Sequence, residues 1–311
     1  MKQIDICIAT YRRPQLLQKL LQSLVDQVTD GQFTIRVVVI DNDARGSAEE
    51  IAKSFSAEKL RLQYAVEPRQ NIALARNRGA SLAAGDYIAT IDDDEYADPH
   101  WLLNLYKTLL ACRADVVMGP VTRIFPPETP EYIRRLPLFN FPDPPTASDD
   151  NFVHSTRSCL FRRSIIRDMP LPFDPDFGLS GGEDTVFFEV LKRQGRKIVW
   201  CREAKAFEVI TASKATFRGV LKHIFRNGHT TYLMLSKKLP GADHPSMEEM
   251  QRRCWQLLLK NAAGAVLLIA KPFRRPFRST AMHYLSNIAY ASGFLLSRSG
   301  LRYEVYKTKG P

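Results

Sequence analysis

Four consecutive carboxylates, Asp92-Asp93-Asp94-Glu95, close an apolar run at residues 87–91. Neighbouring carboxylates repel one another unless a cation or hydrogen-bond donors neutralise them. Hard divalent cations such as Mn²⁺ and Mg²⁺ prefer oxygen ligands and often share them with substrate phosphates. An Asp-x-Asp placed here points to a metal–diphosphate site; the plainer alternative is a solvated acidic turn. Two more polar groups follow apolar runs in the same way, Thr10-Tyr11-Arg12 and Asp41-Asn42-Asp43, and this shared placement favours a site. Residues 71–79 open a helix carrying Arg76 and Arg78. Helix N-termini and arginines suit phosphate oxygens, although a lone helical arginine more often pairs at the surface. In Gly181-Gly182-Glu183-Asp184, two acids follow a glycine entry. They serve equally well as helix N-caps or as a general base for an entering acceptor hydroxyl.

The elements that must position these groups alternate along the chain. Residues 4–9 and 35–40 are short β-branched runs, and between them Leu16, Leu17, Leu20, Leu21 and Leu24 recur at helical spacing after Pro14. A helix over 48–56, a strand over 62–66, a helix over 72–84 and a strand over 87–91 repeat the pattern. A helix over 99–110 and a strand over 115–119 complete it. The alternation predicts an α/β fold with a Rossmann-like, mostly parallel sheet and helices on both faces. In such sheets ligands sit at the carboxyl ends of the strands, where all three polar groups fall. Residues 126–150, rich in Pro, Asp, Thr and Ser, read as a surface loop. Order is expected to return near 155–161, with a helix over 188–194.

Taken in order, Thr10-Tyr11-Arg12-Arg13-Pro14, Val39-Ile40-Asp41-Asn42, Asn71…Ala75-Arg76-Asn77-Arg78-Gly79, Ile91-Asp92-Asp93-Asp94-Glu95 and Gly181-Gly182-Glu183-Asp184 resemble glycosyltransferase family 2. The resemblance covers residues 3–230 and implies the GT-A fold and inverting transfer from a nucleotide-sugar donor. The stretch from Phe173 to Thr185 looks like the branch that includes succinoglycan-type exopolysaccharide transferases. The resemblance implies that Asp41 contacts the nucleotide base, with Thr10 and Arg12 lining the same pocket. It also implies that Arg76 approaches the diphosphate, Asp92 faces the ribose and Asp94 binds Mn²⁺ or Mg²⁺. Asp184 would be the catalytic base and Glu183 the acceptor-side carboxylate beside it. A UDP-sugar is the family-typical donor. Two positions depart from the pattern: Ser158 stands where many relatives carry Asn, and Glu208 lies where many carry a metal-binding His.

Composition narrows the function classes. The chain has 311 residues, 45% hydrophobic and 25% charged, which suits a folded soluble domain. Its five cysteines are scattered, with no Cys-x-x-Cys pair, against a disulfide framework or zinc site and in favour of a reducing compartment. The N-terminus lacks a signal-like core, so secretion is not expected. The first strand–helix turn lacks Gly-x-Gly-x-x-Gly, which argues against a dinucleotide-dependent enzyme. A catalytically silent scaffold of a polysaccharide assembly is the other alternative, and the intact Asp92, Asp94 and Asp184 speak against it.

The net charge of +11 is unevenly placed. Residues 251–311 carry eleven Lys/Arg and one Glu, a net of +10. Nucleic-acid binding would need motif support that is absent. Two apolar stretches, 255–270 and 281–296, flank the basic segment 271–278. Each is shorter than the roughly 20 residues of a spanning helix. Apolar and basic residues interleaved in this way suit a helix lying on an anionic membrane. The expected organisation is a catalytic domain over 1–240 and a membrane-associating helical extension over 241–311. The expected location is peripheral, on the cytoplasmic side of a bacterial inner membrane, with a lipid-linked glycan as acceptor.

Overall fold

A computed structural model describes residues 1–56, 60–141, 143–148, 154–237, 245–270, 277–300 and 303–304. The boundary expected at 240, the basic residues 271–276 and part of the 126–150 loop lie outside the described residues.

The chain opens with β1 (Lys2–Thr10), α1 (Pro14–Val25), β2 (Phe33–Asp41), α2 (Glu49–Ser56), β3 (Leu62–Val66), α3 (Ile72–Leu82) and β4 (Tyr87–Thr90). After it come β5 (Glu95–Ala97), α4 (Trp101–Ala111), β6 (Val116–Met118), β7 (Val121–Ile124), α5 (Glu131–Arg134) and β8 (Cys159–Arg162). The rest is α6 (Glu183–Arg193), β9 (Ile198–Trp200), β10 (Ala206–Val209), α7 (Phe217–Ser236), α8 (Met247–Ala270) and α9 (Phe277–Arg298).

Seven strands form one sheet in the order β3-β2-β1-β4-β8-β6-β9. All neighbours are parallel except β8, which runs antiparallel to both β4 and β6. This is a GT-A-like α/β fold with a mostly parallel central sheet. Ile4, Ile6 and Ile8 of β1 are fully buried against Leu17, Leu20, Leu21 and Leu24 of α1. The leucine spacing lays all four on the helix face that meets the sheet. Register matters for the site, because Thr10 pairs with Asp41 at the carboxyl end.

A smaller sheet, β5-β10-β7, stands beside the acidic cluster. Pairing aligns Glu208 with Glu95 on one side and with Arg123 on the other. Glu95 therefore leaves the acidic run and begins a strand of its own, which splits the four carboxylates into a turn and an edge.

Two expectations are corrected here. The helix expected over 188–194 extends back to Glu183, in keeping with the helix start expected at Glu183-Asp184; its polar first turn carries no apolar period. The loop over 126–150 contains α5, whose Ile133 packs with Val220 and Met282. Apolar residues between the prolines dock this segment onto the C-terminal helices.

In the C-terminal region α7 and α8 both pack along α9. A Cβ on Gly228 would lie 2.0 Å from the Tyr290 carbonyl oxygen, and one on Gly293 as close to that of Phe225. Only glycine permits the two backbones this approach. His229 is buried there and bonds through Nδ1 to Ser297 Oγ at 2.6 Å. Along α8, Trp255, Leu259 and Val266 are exposed. Among the described residues, no helix is long and apolar enough to cross a membrane.

Candidate active site

The first strand end is a knot of hydrogen bonds around Asp41. Its carboxylate is fully buried and accepts from the Asp43 and Ala48 amides, at 2.9 and 2.7 Å, and from Tyr64 Oη at 3.0 Å. Those bonds shape the 43–48 turn and leave Asp41 little capacity for a ligand. Arg12, at φ 53°, adopts a left-handed backbone uncommon for a side-chain-bearing residue. Its Nε donates to Asp43 at 2.8 Å, and its amide donates to Ser47. Thr10 Oγ1 turns the other way and donates to Asp93 at 2.8 Å. Thr10, Arg12 and Asp41 lie at the adjoining carboxyl ends of β1 and β2, where Asp41 braces the 43–48 turn.

Helix α3 ties this end to the distant 173–184 segment. Asn71 caps it, accepting from the Leu74 amide at 3.0 Å, and donates through Nδ2 to the Pro175 carbonyl at 2.9 Å. One turn on, Asn77 exchanges two hydrogen bonds with the Phe173 backbone. Arg76 lies between the acids, donating to Asp92 at 2.9 Å and to Glu183 at 3.1 Å. Arg78 is exposed on the far face and takes no part.

Gly181 and Gly182 have φ of 85° and 104°, and a Cβ on Gly182 would meet Thr230 Cγ2 at 2.3 Å. The glycine entry is therefore a fixed left-handed turn into α6 rather than a hinge. Successive helical residues point about 100° apart, so the two acids part company. Glu183 is buried on Arg76, facing inward. Burial and the neighbouring Asp184 charge raise its pKa, and Arg76 opposes the rise. Asp184 stays half-buried, with one oxygen taking the Thr185 amide at 2.7 Å.

Each of the three aspartates pairs with a cation. Asp92 pairs with Arg76, and Asp93 with Arg13 at 3.0 Å. Asp94 accepts from Lys214 Nζ at 2.8 Å and from Arg13 at 3.3 Å. Lys214 also reaches Glu208 Oε1 at 3.2 Å, while Arg157 approaches Glu208 Oε2 at 3.3 Å. Burial pushes Asp93 up to about 6 despite Arg13. Burial also raises Glu95 well above the usual carboxylate range, with Asp92 adding to the effect. Glu95 Oε2 receives the Asp92 amide, while its Oε1 is buried with no hydrogen-bond partner among the described residues. Beside Glu208 an open cleft is lined by Arg123, Arg157, Ser158, Phe141 and Trp200 among others.

The Glycosyl transferase family 2 model matches residues 5–169, more than half of the chain. The chain belongs to glycosyl transferase family 2. Over 300 residues it is 29% identical to the succinoglycan biosynthesis protein ExoM of Rhizobium meliloti (strain 1021), covering 96% of this chain and 94% of ExoM. The fold is similar to the mannosyltransferase PcManGT of Pyrobaculum calidifontis, solved with GDP-Man and Mn²⁺. There the TM-score is 0.61 at 16% identity, over 96% of this chain and 88% of that one. S. aureus TarS residues 1–349 in complex with UDP gives a TM-score of 0.55 at 15% identity, over 98% and 93% of the two chains.

Carboxylates are the oxygen donors a hard divalent cation takes, and this family 2 chain carries several at the strand ends. No group of three or more metal-binding side chains is assembled among the described residues. Mg²⁺-type sites bound to phosphates need only one or two carboxylates, the rest coming from phosphate and water. Asp94 and Glu208, bridged by the Lys214 ammonium, are the two carboxylates that could serve in this way. Sequence reasoning named neither Arg13 nor Arg157 nor Lys214 as site residues. Arg13 adjoins Arg12 in the first motif, so its position was a usable signal; Lys214 and Arg157 carry no local motif.

Proposed function

We propose that the chain transfers a sugar from a nucleotide-sugar donor to an acceptor hydroxyl by a single inverting displacement, in the synthesis of a cell-surface polysaccharide. The observation that carries this reading is Arg76, which joins Asp92 of the acidic turn to Glu183 of the α6 entry. One guanidinium thus sets the donor-binding acids and the base helix in a common frame. The likeness to ExoM over nearly the whole chain supports the polysaccharide assignment.

In this reading Asp184, the half-buried member of its pair, accepts the proton of the acceptor hydroxyl as that oxygen attacks the anomeric carbon. The bond to the diphosphate oxygen breaks on the opposite face, and its electron pair leaves with the nucleoside diphosphate. Asp94 and Glu208 would hold Mn²⁺ or Mg²⁺, which neutralises the charge developing on the leaving diphosphate. Arg13 and Arg76 add fixed positive charge around that position. Asp92 serves the ribose side, and Asp41 holds the 43–48 turn and Arg12 where the base would lie. The UDP and GDP-Man seen in the two solved structures agree with such a donor. In a thermal-shift screen of nucleotide-sugars, at least one stabilises the chain with Mn²⁺ and none does in EDTA; stabilisation independent of metal counts against the metal assignment.

The exposed Trp255, Leu259 and Val266 fall on one face of α8, beside the exposed Arg252 and Arg253. An apolar stripe flanked by cations suits docking on an anionic bilayer. The reading places the enzyme peripherally on the cytoplasmic side of a bacterial inner membrane, facing a lipid-linked acceptor. Sedimentation with anionic vesicles at low salt should retain the wild type. The Trp255→Ser/Leu259→Ser variant should bind about tenfold more weakly or worse. No binding by the wild type would end the membrane assignment.

A further inference from the structure

Lys214 bridges the two carboxylates to which the proposed function assigns a divalent cation. Its Nζ lies 2.8 Å from Asp94 Oδ2 and 3.2 Å from Glu208 Oε1. Beneath it both carboxylates are nearly buried, with side-chain exposures of 9% and 11%, whereas the lysine side chain is 43% exposed. Arg13 also reaches Asp94 Oδ2 at 3.3 Å, and Arg157 and Arg123 approach Glu208 Oε2 at 3.3 and 3.5 Å. Among the described residues Lys214 alone bridges the two acids, and it faces outward. Lys214 sits in the short 210–216 connection between β10 and α7, which Thr216 anchors by capping α7 through the Gly219 amide at 3.0 Å.

Metal and ammonium cannot share these oxygens. A Mg²⁺-sized ion binds carboxylate oxygen at about 2.0–2.1 Å, and at that range the ammonium is both displaced sterically and repelled. A cation arriving alone must therefore drive Lys214 into water and forfeit its two ion pairs. A nucleoside diphosphate changes the balance, because its phosphate oxygens supply ligands to the metal and a new acceptor to the displaced ammonium. Resting on the donor-site reading above, the geometry points to Lys214 as an internal cation that keeps the Asp94–Glu208 pair closed to metal until the diphosphate is present. Metal and nucleotide binding are then coupled, and the coupling is reciprocal. Lys214 is a positioning residue in this scheme, and it turns two carboxylates into a site that loads in the presence of donor.

The test is Mn²⁺ binding, read from the electron paramagnetic resonance signal of free Mn²⁺ in titrations of the full-length protein. Wild type, Lys214→Met and Lys214→Arg are each titrated alone and with UDP or GDP. Without nucleotide, K214M binds Mn²⁺ about tenfold tighter than wild type, within the usual range of coupling between sites. The enhancement that nucleotide brings shrinks by a similar factor. K214R keeps a cation over the pair and retains the weak binding of the wild type, so a folding defect common to both variants is told apart from loss of charge. Equal Mn²⁺ affinity in nucleotide-free wild type and K214M, with normal loading of the wild type in the presence of nucleotide, overturns the proposal alone. Failure of the wild type to bind Mn²⁺ with either nucleotide removes the metal reading and the proposal together.

Discussion

Replacing Asp184 with Asn lowers kcat by about 10²–10⁴-fold and leaves the donor KM nearly unchanged. The exchange keeps the size of the side chain and an oxygen to accept the Thr185 amide, a contact of 2.7 Å in the native chain. Only the capacity to take a proton disappears. The donor acids and Arg76 lie on other elements, so donor binding keeps its partners. Steady-state release of nucleoside diphosphate in the presence of acceptor reads both parameters. Retention of activity within tenfold of wild type would place the base elsewhere. The neighbouring Glu183→Gln should not behave alike, because Glu183 faces inward on Arg76 and its loss is felt in the packing of the α6 entry.

Replacing Arg76 with Met has the largest expected effect on stability. The Arg76 side chain is 10% exposed and pairs with two acids, of which Glu183 is 5% exposed and Asp92 30%. Burial disfavours the charge on Arg76, yet Asp92 and Glu183 outweigh it and hold its pKa above the ordinary value. Removing one partner of a buried pair strands the other charge at a cost of about 3–5 kcal/mol. Because Asp92 keeps some access to water, the lower end, about 3 kcal/mol, is expected. Urea unfolding of the single variant and of Arg76→Met/Glu183→Gln separates the causes: neutralising Glu183 should restore part of the loss. A loss below about 1 kcal/mol would mean that the pair contributes no more than an exposed salt bridge.

The parallel half of the sheet was legible because short apolar runs, β-branched in β1 and β2, end in polar groups between amphipathic helices. The strand expected over 62–66 is β3 to the residue. Strands β7 and β10 were not anticipated: each has four residues with half-exposed alternation, too short for a period to register. Helix α7 escaped notice because its buried positions are Val220, Gly228 and His229, two of which carry no apolar signal.

At the site, local spacing revealed which acids cluster but not which cations hold them. Lys214 lies 120 residues from Asp94, and Arg76 lies 107 from Glu183. Only the paired strands and the α3 cap bring them together. Glu208 gained meaning in the same way, from its cross-strand position beside Glu95. The separate roles of Glu183 and Asp184 needed the helix phase, which begins at the left-handed Gly182.

Donor turnover tests the central claim most directly. Wild type and Asp94→Ala are incubated with a panel of nucleotide-sugars and Mn²⁺, and release of nucleoside diphosphate is measured before and after chelation. The account predicts release from one donor by the wild type, abolished by EDTA and absent in Asp94→Ala. Full release by Asp94→Ala, or release unaffected by EDTA, would contradict a metal-dependent transfer centred on the acidic turn.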